Sequence, residues 1–156
     1  MSVTEGGRIR VAMVHGPGPA DRDGVGDYVE RLVRALGDAG VEAVGVPVGS
    51  PGARSPWHWL PATLGAARRV RRLRPDVVHV QFAPSAYRFS GLPGLLPPLL
   101  PPGVPLVTTL HEYGWWAAPG WVPGPAWRPL ERARLWDRET GRLVPASALV
   151  VVTNAS

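Results

Sequence analysis

The chain has 156 residues, of which 45% are hydrophobic and 19% charged, so it is long and apolar enough to bury the core of one domain. It contains no cysteine, which excludes disulfide bonds, zinc sites with thiolate ligands and cysteine nucleophiles. The formal net charge is +5 and all 17 basic residues are arginine. Together with 19 glycines and 19 prolines, this indicates a GC-rich coding bias more than selection for a partner. Nucleic acid is the weaker alternative, because no nucleic-acid motif accompanies the charge.

The predicted elements alternate along the chain between strands and helices. The strands are short, continuous apolar runs rich in Val and Ile, at residues 8–15, 41–48, 76–82, 104–110 and 146–153. The helices have apolar residues three and four positions apart and occupy residues 27–39, 61–74 and 129–143. Asp27 suits the start of the first helix, Gly40 the position after its end, and Pro61 the start of the second helix.

The connecting segments have unusual compositions. Residues 16–26 form a glycine- and proline-rich loop, and residues 90–103 are predicted to be irregular or a broken helix. Residues 91–110 carry no charge, but prolines interrupt them repeatedly, so a membrane-spanning helix is not expected. The N-terminus, MSVTEGGR, lacks the apolar core of a signal peptide.

Continuous apolar strands that alternate with helices are typical of a parallel sheet covered on both faces. We therefore expect an α/β fold with a Rossmann-like, doubly wound parallel sheet. Ligands bind such sheets outside the carboxyl ends of the strands. His15, Gln81 and His111 lie at or near the carboxyl ends of three predicted strands, so they are candidates for one shared site.

His111 is the leading candidate for a chemical role, because an imidazole at a strand end can accept a proton or orient a hydroxyl. The alternative is a structural histidine that caps a loop. Glu112 and Tyr113 follow directly and are candidates for the same cleft, although adjacent side chains can point in different directions. His79 lies in the middle of a predicted strand and is interpreted as a hydrogen-bonded core histidine.

Two loops offer ligand chemistry. The loop at 16–26 leads into a helix, whose N-terminal N–H groups and dipole suit an anion such as phosphate. It is neither a P-loop nor a G-x-G-x-x-G dinucleotide fingerprint, and the alternative is a surface loop without a ligand. In the loop at 111–127, Trp115 and Trp116 can stack on a sugar, line an acceptor pocket, lie at a membrane interface or form a small satellite core.

Five arginines cluster on the second predicted helix, at Arg68, Arg69, Arg71, Arg72 and Arg74. Such a cluster is ordinarily a solvated helix face. The functional alternative is attraction to anionic lipid headgroups or to a polyanionic ligand.

Five stretches, in order along the chain, carry a family resemblance. They are RIRVAMVH at 8–15, DGVGDYVERLVRALGDAGVE at 23–42, RPDVVHVQF at 74–82, VPLVTTLHE at 104–112 and ALVVVTNAS at 148–156. Together they resemble the N-terminal half of a family-four GT-B glycosyltransferase. Each stretch is weak alone, but the ordered set extends over nearly the whole chain.

The resemblance implies one lobe of a two-lobe GT-B architecture, in which this lobe receives the acceptor and a C-terminal lobe holds most of the nucleotide diphosphate sugar. It implies that Gly24, Val25 and Gly26 approach the donor diphosphate and that His111 faces the sugar and the acceptor. The cleft would also include the other strand-end and loop candidates, His15, Gln81, Glu112, Tyr113, Trp115 and Trp116. The implied reaction is retaining transfer to an alcohol on a glycan or lipid-linked acceptor, with no metal and no cofactor besides the donor substrate.

Two features depart from the family pattern. Asp23 stands where the family often has the first glycine of G-G-V-G, and its carboxylate would repel a diphosphate unless it turns away. Glu131 and Glu139 have the E-x7-E spacing known from nucleotide-sugar enzymes, but they lie on an arginine-rich helix rather than among glycines, and we interpret the spacing as incidental.

We expect residues 1–156 to form the N-terminal acceptor domain, with the C-terminal donor-binding domain absent. The chain would then be a fragment, a truncated gene product or half of a split enzyme, and we expect it to be inactive until a second lobe is supplied, with a separate chain as one possible source. The alternative is a non-catalytic binding module or partner-docking lobe. The expected location is cytoplasmic, with peripheral contact at the inner face of the membrane left open, and no nucleic acid is expected as a partner.

Overall fold

A computed structural model of the chain describes residues 7–18, 24–49, 58–87, 92–111, 129 and 142–153. The strands are β1 (Arg10–His15), β2 (Glu42–Pro47), β3 (Val77–Phe82), β4 (Leu106–Leu110) and β5 (Leu149–Val152). The helices are α1 (Gly24–Asp38), α2 (Trp59–Leu73) and the single turn α3 (Leu143–Ala146). Short 3-10 helices occupy Pro84–Tyr87, Leu92–Leu95 and Pro97–Leu99, so the proline-rich segment is a broken helix where it is described.

All five strands are parallel and lie in the order β2-β1-β3-β4-β5. The prediction of an α/β, Rossmann-like parallel sheet is confirmed. The chain moves from β1 outward to β2 and then crosses back to β3, and because such crossovers are right-handed, α1 and α2 cover opposite faces. The strand order therefore reverses between β1 and β3, which is where open α/β sheets bind ligands.

The two faces of the sheet bury different amounts of apolar surface. On the α1 face, Val11 and Met13 pack against Val29 of the helix. The larger core lies on the α2 face, where strand residues such as Val14, Val80 and Phe82 pack with Val70 of α2. Successive residues of each apolar strand therefore pack on opposite faces of the sheet, as expected for a parallel sheet that is covered on both sides.

Tyr87 anchors the segment after β3 to the larger core. Its side chain is 1% exposed. Its ring stacks on Phe82 with 5.6 Å between ring centroids and meets the edge of Trp59 at 5.8 Å. The hydroxyl donates a hydrogen bond to the Gln81 backbone oxygen at 3.2 Å, so this aromatic cluster fixes the carboxyl end of β3 beneath α2.

The helix starts differ from the predictions. α1 begins at Gly24 rather than at Asp27, so the glycines at 24 and 26 belong to the first helical turn and not to a loop. Asp27 acts inside that turn: its carboxylate pairs with Arg31 one turn later, at 2.9 Å, and suits the positive end of the helix dipole. α2 begins at Trp59, and Pro61 fits within its first turn, where the missing N–H would have no helical partner.

The helix ends agree better with the sequence. Gly40 has a φ of 81°, and its N–H and that of Val41 bond back to Gly37 and Leu36, so the predicted glycine stop after the first helix is confirmed. Arg74 ends α2 in the left-handed conformation, with Pro75 next. The predicted helix at 129–143 lies largely outside the described residues. None of the described helices is long and apolar enough to cross a membrane.

Candidate functional site

Side chains of β3 and β4 form the candidate site at the carboxyl edge of the sheet. Residues two apart on a strand share a face, so His79 and Gln81 lie together on β3. Gln81 is in register with Thr109 of β4, and the chain continues to His111, whose backbone N–H bonds to the Phe82 oxygen at 2.9 Å. This is the face that α1 covers, because Met13 belongs to the same side.

Four hydrogen bonds connect these side chains. His111 Nε2 donates to Gln81 Oε1 at 2.8 Å. Gln81 Nε2 donates to His79 Nε2 at 3.0 Å and approaches Met13 Sδ at 3.2 Å. The Thr109 hydroxyl and His79 Nε2 share a hydrogen bond at 2.8 Å. Gln81 and Thr109 are fully buried, and both histidines are half-buried, so the network runs from the interior of the sheet toward its edge.

The surroundings of His79, including His111, lower its pKa. Burial lowers the pKa of His79, and the nearby His111 lowers it further, because a second positive charge so close would be repelled. His79 is therefore held neutral under conditions in which an exposed histidine would begin to take up a proton.

The first turn of α1 meets His111 directly. The Tyr28 ring touches the imidazole edge to face, with 4.8 Å between ring centroids and an angle of 76° between the rings. The N–H groups at the start of an α-helix have no preceding turn to bond to, and the first turn of α1 contains Gly24 and Gly26. A positive helix end and an imidazole thus lie side by side, an arrangement that suits an anionic group next to a hydroxyl.

His15 occupies the end of β1. Its Nδ1 donates to the Gly16 backbone oxygen at 2.8 Å. It lines a pocket of about 370 Å³ together with Gly26, Glu30 and Arg34 of α1 and Gly45 of β2. The structure therefore brings Gln81 and His111 into direct contact and places His15 with Gly26, on the β2 side of the edge.

Sequence reasoning missed part of this arrangement. His79 is half-buried and hydrogen-bonded, but its partners belong to the candidate site, and Thr109 was not singled out. The spacing H-x-Q on β3 and T-x-H on β4 was the signal that could have found both, since each pair shares a strand face. Glu112, Tyr113, Trp115 and Trp116 lie outside the described residues. Within the part of the chain that the structure describes, no three His, Asp or Glu side chains cluster to hold a metal.

An open, all-parallel α/β sheet with polar side chains at the carboxyl edge defines a Rossmann-like lobe. The sequence model of Glycosyltransferase Family 4 matches residues 43–156, which is more than half of the chain, and the chain belongs to that family. The match is consistent with the N-terminal domain of such an enzyme. Comparisons with curated proteins and with solved structures gave no match.

Proposed function

We propose that the chain is the acceptor-side lobe of a retaining glycosyltransferase that transfers a sugar from a nucleotide diphosphate sugar to an alcohol. The acceptor would be a glycan or a lipid-linked molecule. The observation that carries the proposal is the position of His111: in a chain of this family, it directly follows β4 at the carboxyl edge and touches Tyr28 near the start of α1.

The proposed reaction exchanges one bond at the anomeric carbon and moves one proton. The acceptor hydroxyl oxygen bonds to the anomeric carbon, and the bond from that carbon to the diphosphate breaks, with its electron pair staying on the diphosphate. The hydroxyl proton leaves with the diphosphate. His111 orients the reacting hydroxyl through a ring nitrogen, and oriented hydrogen-bond groups of this kind contribute about 10²-fold or more to rate.

The start of α1 would favour the leaving group. The helix dipole places roughly half a positive charge at this end, and Gly24 and Gly26 allow a phosphate to approach the backbone closely. The carboxylate of Asp27 in the same turn is engaged by Arg31, which reduces its repulsion of an anion. Neither a metal nor a cofactor forms part of the proposal; the nucleotide diphosphate sugar is the donor substrate.

The test is transfer of labelled sugar from a panel of nucleotide diphosphate sugars to membrane lipid and oligosaccharide extracts. The protein is used in the full reading frame that its locus encodes, with and without the product of the neighbouring frame as a source of the second lobe. We expect transfer only when a second lobe is present, and a loss of about 10²-fold or more in His111→Ala.

His58→Ala is the matched control, because His58 is exposed at the start of α2 and carries no cap hydrogen bond. It should transfer sugar like the wild type. Equal transfer by His111→Ala and wild type would remove His111 from the mechanism. Binding of donor or acceptor without any turnover in the presence of both lobes would favour the alternative, a non-catalytic binding module.

We further propose peripheral contact of this lobe with the inner face of the membrane, which would fit a cytoplasmic enzyme with a lipid-linked acceptor. The supporting observation is the outer face of α2. Leu60 and Leu64 are 41% and 36% exposed, and exposed Arg68 and Arg71 continue the same stripe at helical spacing. Apolar residues beside arginines suit the surface of an anionic bilayer.

Sedimentation with vesicles tests the contact. Wild-type protein should bind vesicles that contain 30% anionic phospholipid, because each arginine near the surface is expected to contribute about 1 kcal/mol. It should be released as the salt concentration rises, because salt screens this attraction. Arg68→Glu with Leu64→Gln should abolish binding. The control is Arg31→Glu on α1, an exposed arginine away from this stripe, which should bind like the wild type. Unchanged binding by the α2 variant would refute the contact.

A further inference from the structure

We propose that Arg71 and Arg74 form a second binding site, for a phosphate group, at the amino edge of the sheet. This site does not depend on the proposed sugar transfer, and its occupancy can be measured without any donor or acceptor. The two arginines line a pocket of about 500 Å³, and the other described residues that line it are Pro75, Pro101, Pro102 and Val104.

The pocket is separate from the candidate functional site. Pro75 lies before β3 and Val104 lies before β4, whereas His111 follows β4. β3 has six residues, and at about 3.3 Å per residue it separates the two edges of the sheet by roughly 20 Å. A ligand in this pocket would therefore not touch the groups proposed to act in sugar transfer.

The size and lining of the pocket suit a small molecule with one charged group. Its volume falls within the range of about 300–1,000 Å³ that is typical of small-molecule sites, which are mostly apolar with a few polar groups. Pro75 is buried and Val104 is half-buried, so both supply apolar wall. The charged side chains among the described lining residues are the two arginines.

Arg71 is already held in place by the protein. Its Nε donates a hydrogen bond to the Leu99 backbone oxygen at 3.0 Å. The N–H groups on its two Nη atoms have no hydrogen-bond partner among the described residues. A guanidinium that is fixed at Nε loses less conformational freedom when it binds a phosphate, which it can meet with two parallel hydrogen bonds.

Arg74 occupies a backbone conformation that favours glycine. It follows α2 with a φ of 47° and a ψ of 57°, and within the described ranges it is the one non-glycine residue with a positive φ. α1 is also followed by a left-handed residue, and there it is Gly40. Because glycine would adopt this conformation at lower energy, the reason for an arginine at position 74 lies in its side chain.

The arginines of α2 lack acidic partners. On α1, Arg31 and Arg34 pair with the carboxylates of Asp27 and Glu30, one turn earlier. α2 contains no Asp or Glu, and in the part of the chain that the structure describes no ion pair joins its arginines to an acid. A solvated helix face ordinarily carries charges of both signs, so a face of one sign favours an anionic ligand.

The negative groups near the pocket are already engaged. The end of a helix carries a partial negative charge on its last carbonyl groups. Here the Leu73 oxygen accepts a hydrogen bond from Arg10 Nη1 at 3.0 Å, and the Arg71 oxygen accepts one from the Arg74 N–H at 3.3 Å. The Asp76 carboxylate accepts the Arg10 backbone N–H at 2.8 Å and does not line the pocket.

The charge of the pocket indicates a phosphate rather than a carboxylate. A phosphomonoester carries close to two negative charges and three acceptor oxygens, which matches two guanidinium groups, whereas a carboxylate carries one charge. Both soluble metabolites and phospholipid headgroups carry such a group. Arg71 also belongs to the α2 stripe proposed to meet the membrane, so the experiment includes both sources.

Titration of the full chain with glycerol 3-phosphate tests the site, with NMR spectra of the arginine Nε–H groups and backbone amides recorded at constant ionic strength. We expect the Arg71 and Arg74 Nε–H signals and the Gly103 amide signal to follow one saturating curve. Absence of a saturable shift at these groups would overturn the proposal. So would a response confined to the amides of Gly24 and Gly26 at the start of α1.

Three variants separate the pocket from the general charge of the helix. Arg71→Gln and Arg74→Gly each remove a guanidinium from the pocket and should weaken binding about tenfold. Arg72→Gln is the matched control, because Arg72 lies in the same last turn but does not line the pocket. It should change the affinity by less than about twofold at physiological ionic strength, where charges are screened over about 8 Å.

Arg74→Gly also separates binding from folding. Glycine relieves the left-handed backbone, so this variant should unfold at the same temperature as the wild type or at a higher one. Weaker binding by such a protein cannot be attributed to loss of the fold. Equal loss of affinity in Arg72→Gln and Arg74→Gly would reduce the site to a general attraction of anions and overturn the proposal.

Vesicles distinguish the two sources of phosphate. Phosphatidic acid in phosphatidylcholine vesicles presents a phosphomonoester, and phosphatidylglycerol at the same fraction presents a phosphodiester. A lipid ligand predicts a preference for phosphatidic acid that Arg74→Gly loses. A soluble ligand predicts that Arg74→Gly loses affinity for glycerol 3-phosphate and binds both vesicles like the wild type. Either result supports the site, and a variant that equals the wild type with both probes would refute it while leaving the proposed membrane contact and sugar transfer untouched.

Discussion

Gly16→Ala is expected to destabilise the fold, because the chain after β1 passes too close to the segment after β3 for a methyl group. A Cβ at Gly16 would lie 2.8 Å from the Ala86 Cβ and 3.3 Å from the Ala86 oxygen. Neither atom can rotate away. The 3-10 turn that contains Ala86 is fixed by its hydrogen bond to Ala83 and by buried Tyr87, so the turn as a whole must shift.

The magnitude follows from two opposing effects. Over-packing of a rigid site costs about 1–3 kcal/mol. Alanine also restricts the unfolded chain, which returns about 0.4–1 kcal/mol, since Gly16 does not have a positive φ. The net loss is about 1–2 kcal/mol, and at about 2–4 °C per kcal/mol for a chain of this size, Tm should fall by about 2–8 °C.

Thermal unfolding followed by circular dichroism, together with urea titration, measures the change. Gly65→Ala is the matched control: it is the same substitution in the middle of α2, where an added Cβ meets nothing within 4 Å. It should raise the unfolding free energy by about 0.5–1 kcal/mol through helix propensity. A Gly16→Ala protein as stable as the wild type would show that the two segments do not approach as described.

Two further predictions concern buried groups. Tyr87→Phe should lower the unfolding free energy by about 1 kcal/mol in urea titration, because it removes the hydroxyl that bonds to the Gln81 oxygen and keeps the ring stacked on Phe82; an unchanged midpoint would contradict it. His79 has a pKa below its ordinary value of 6.5, so in this range the unfolded chain binds more protons than the folded one. The unfolding free energy should therefore fall as pH drops below about 6.5, and it should fall less steeply in His79→Gln than in the wild type; parallel pH curves of the two proteins would refute the reasoning.

The fold could be predicted well because its dominant physical signal is local. Each strand is a continuous apolar run, and the runs at residues 76–82 and 104–110 became β3 and β4 within about two residues at each end. Helix starts were predicted less well. Asp27 is a residue type favoured at helix N-caps, but the glycines before it can also adopt helical geometry. The local sequence does not decide whether the helix begins at Asp27 or at Gly24.

The candidate site was predictable only in outline. The rule that strand ends share an edge placed Gln81 and His111 near each other. Which side chains would bond depended on β3 and β4 being neighbours in register, and that is set by the whole strand order. His79 was assigned to the core because it lies between valines, and the sequence does not distinguish a half-buried strand position from a fully buried one.

The network between β3 and β4 also constrains the fold that carries it. Gln81 and Thr109 are fully buried on a face otherwise lined by Val11 and Met13, and a buried amide or hydroxyl is tolerated only when it is paired. A slip of β4 by one residue would turn Thr109 and His111 to the opposite face and leave Gln81 without its partners. The hydrogen bonds that position His79 and His111 therefore also oppose the wrong register, so the geometry of the site depends on the alignment of the two strands, and the site in turn favours that alignment.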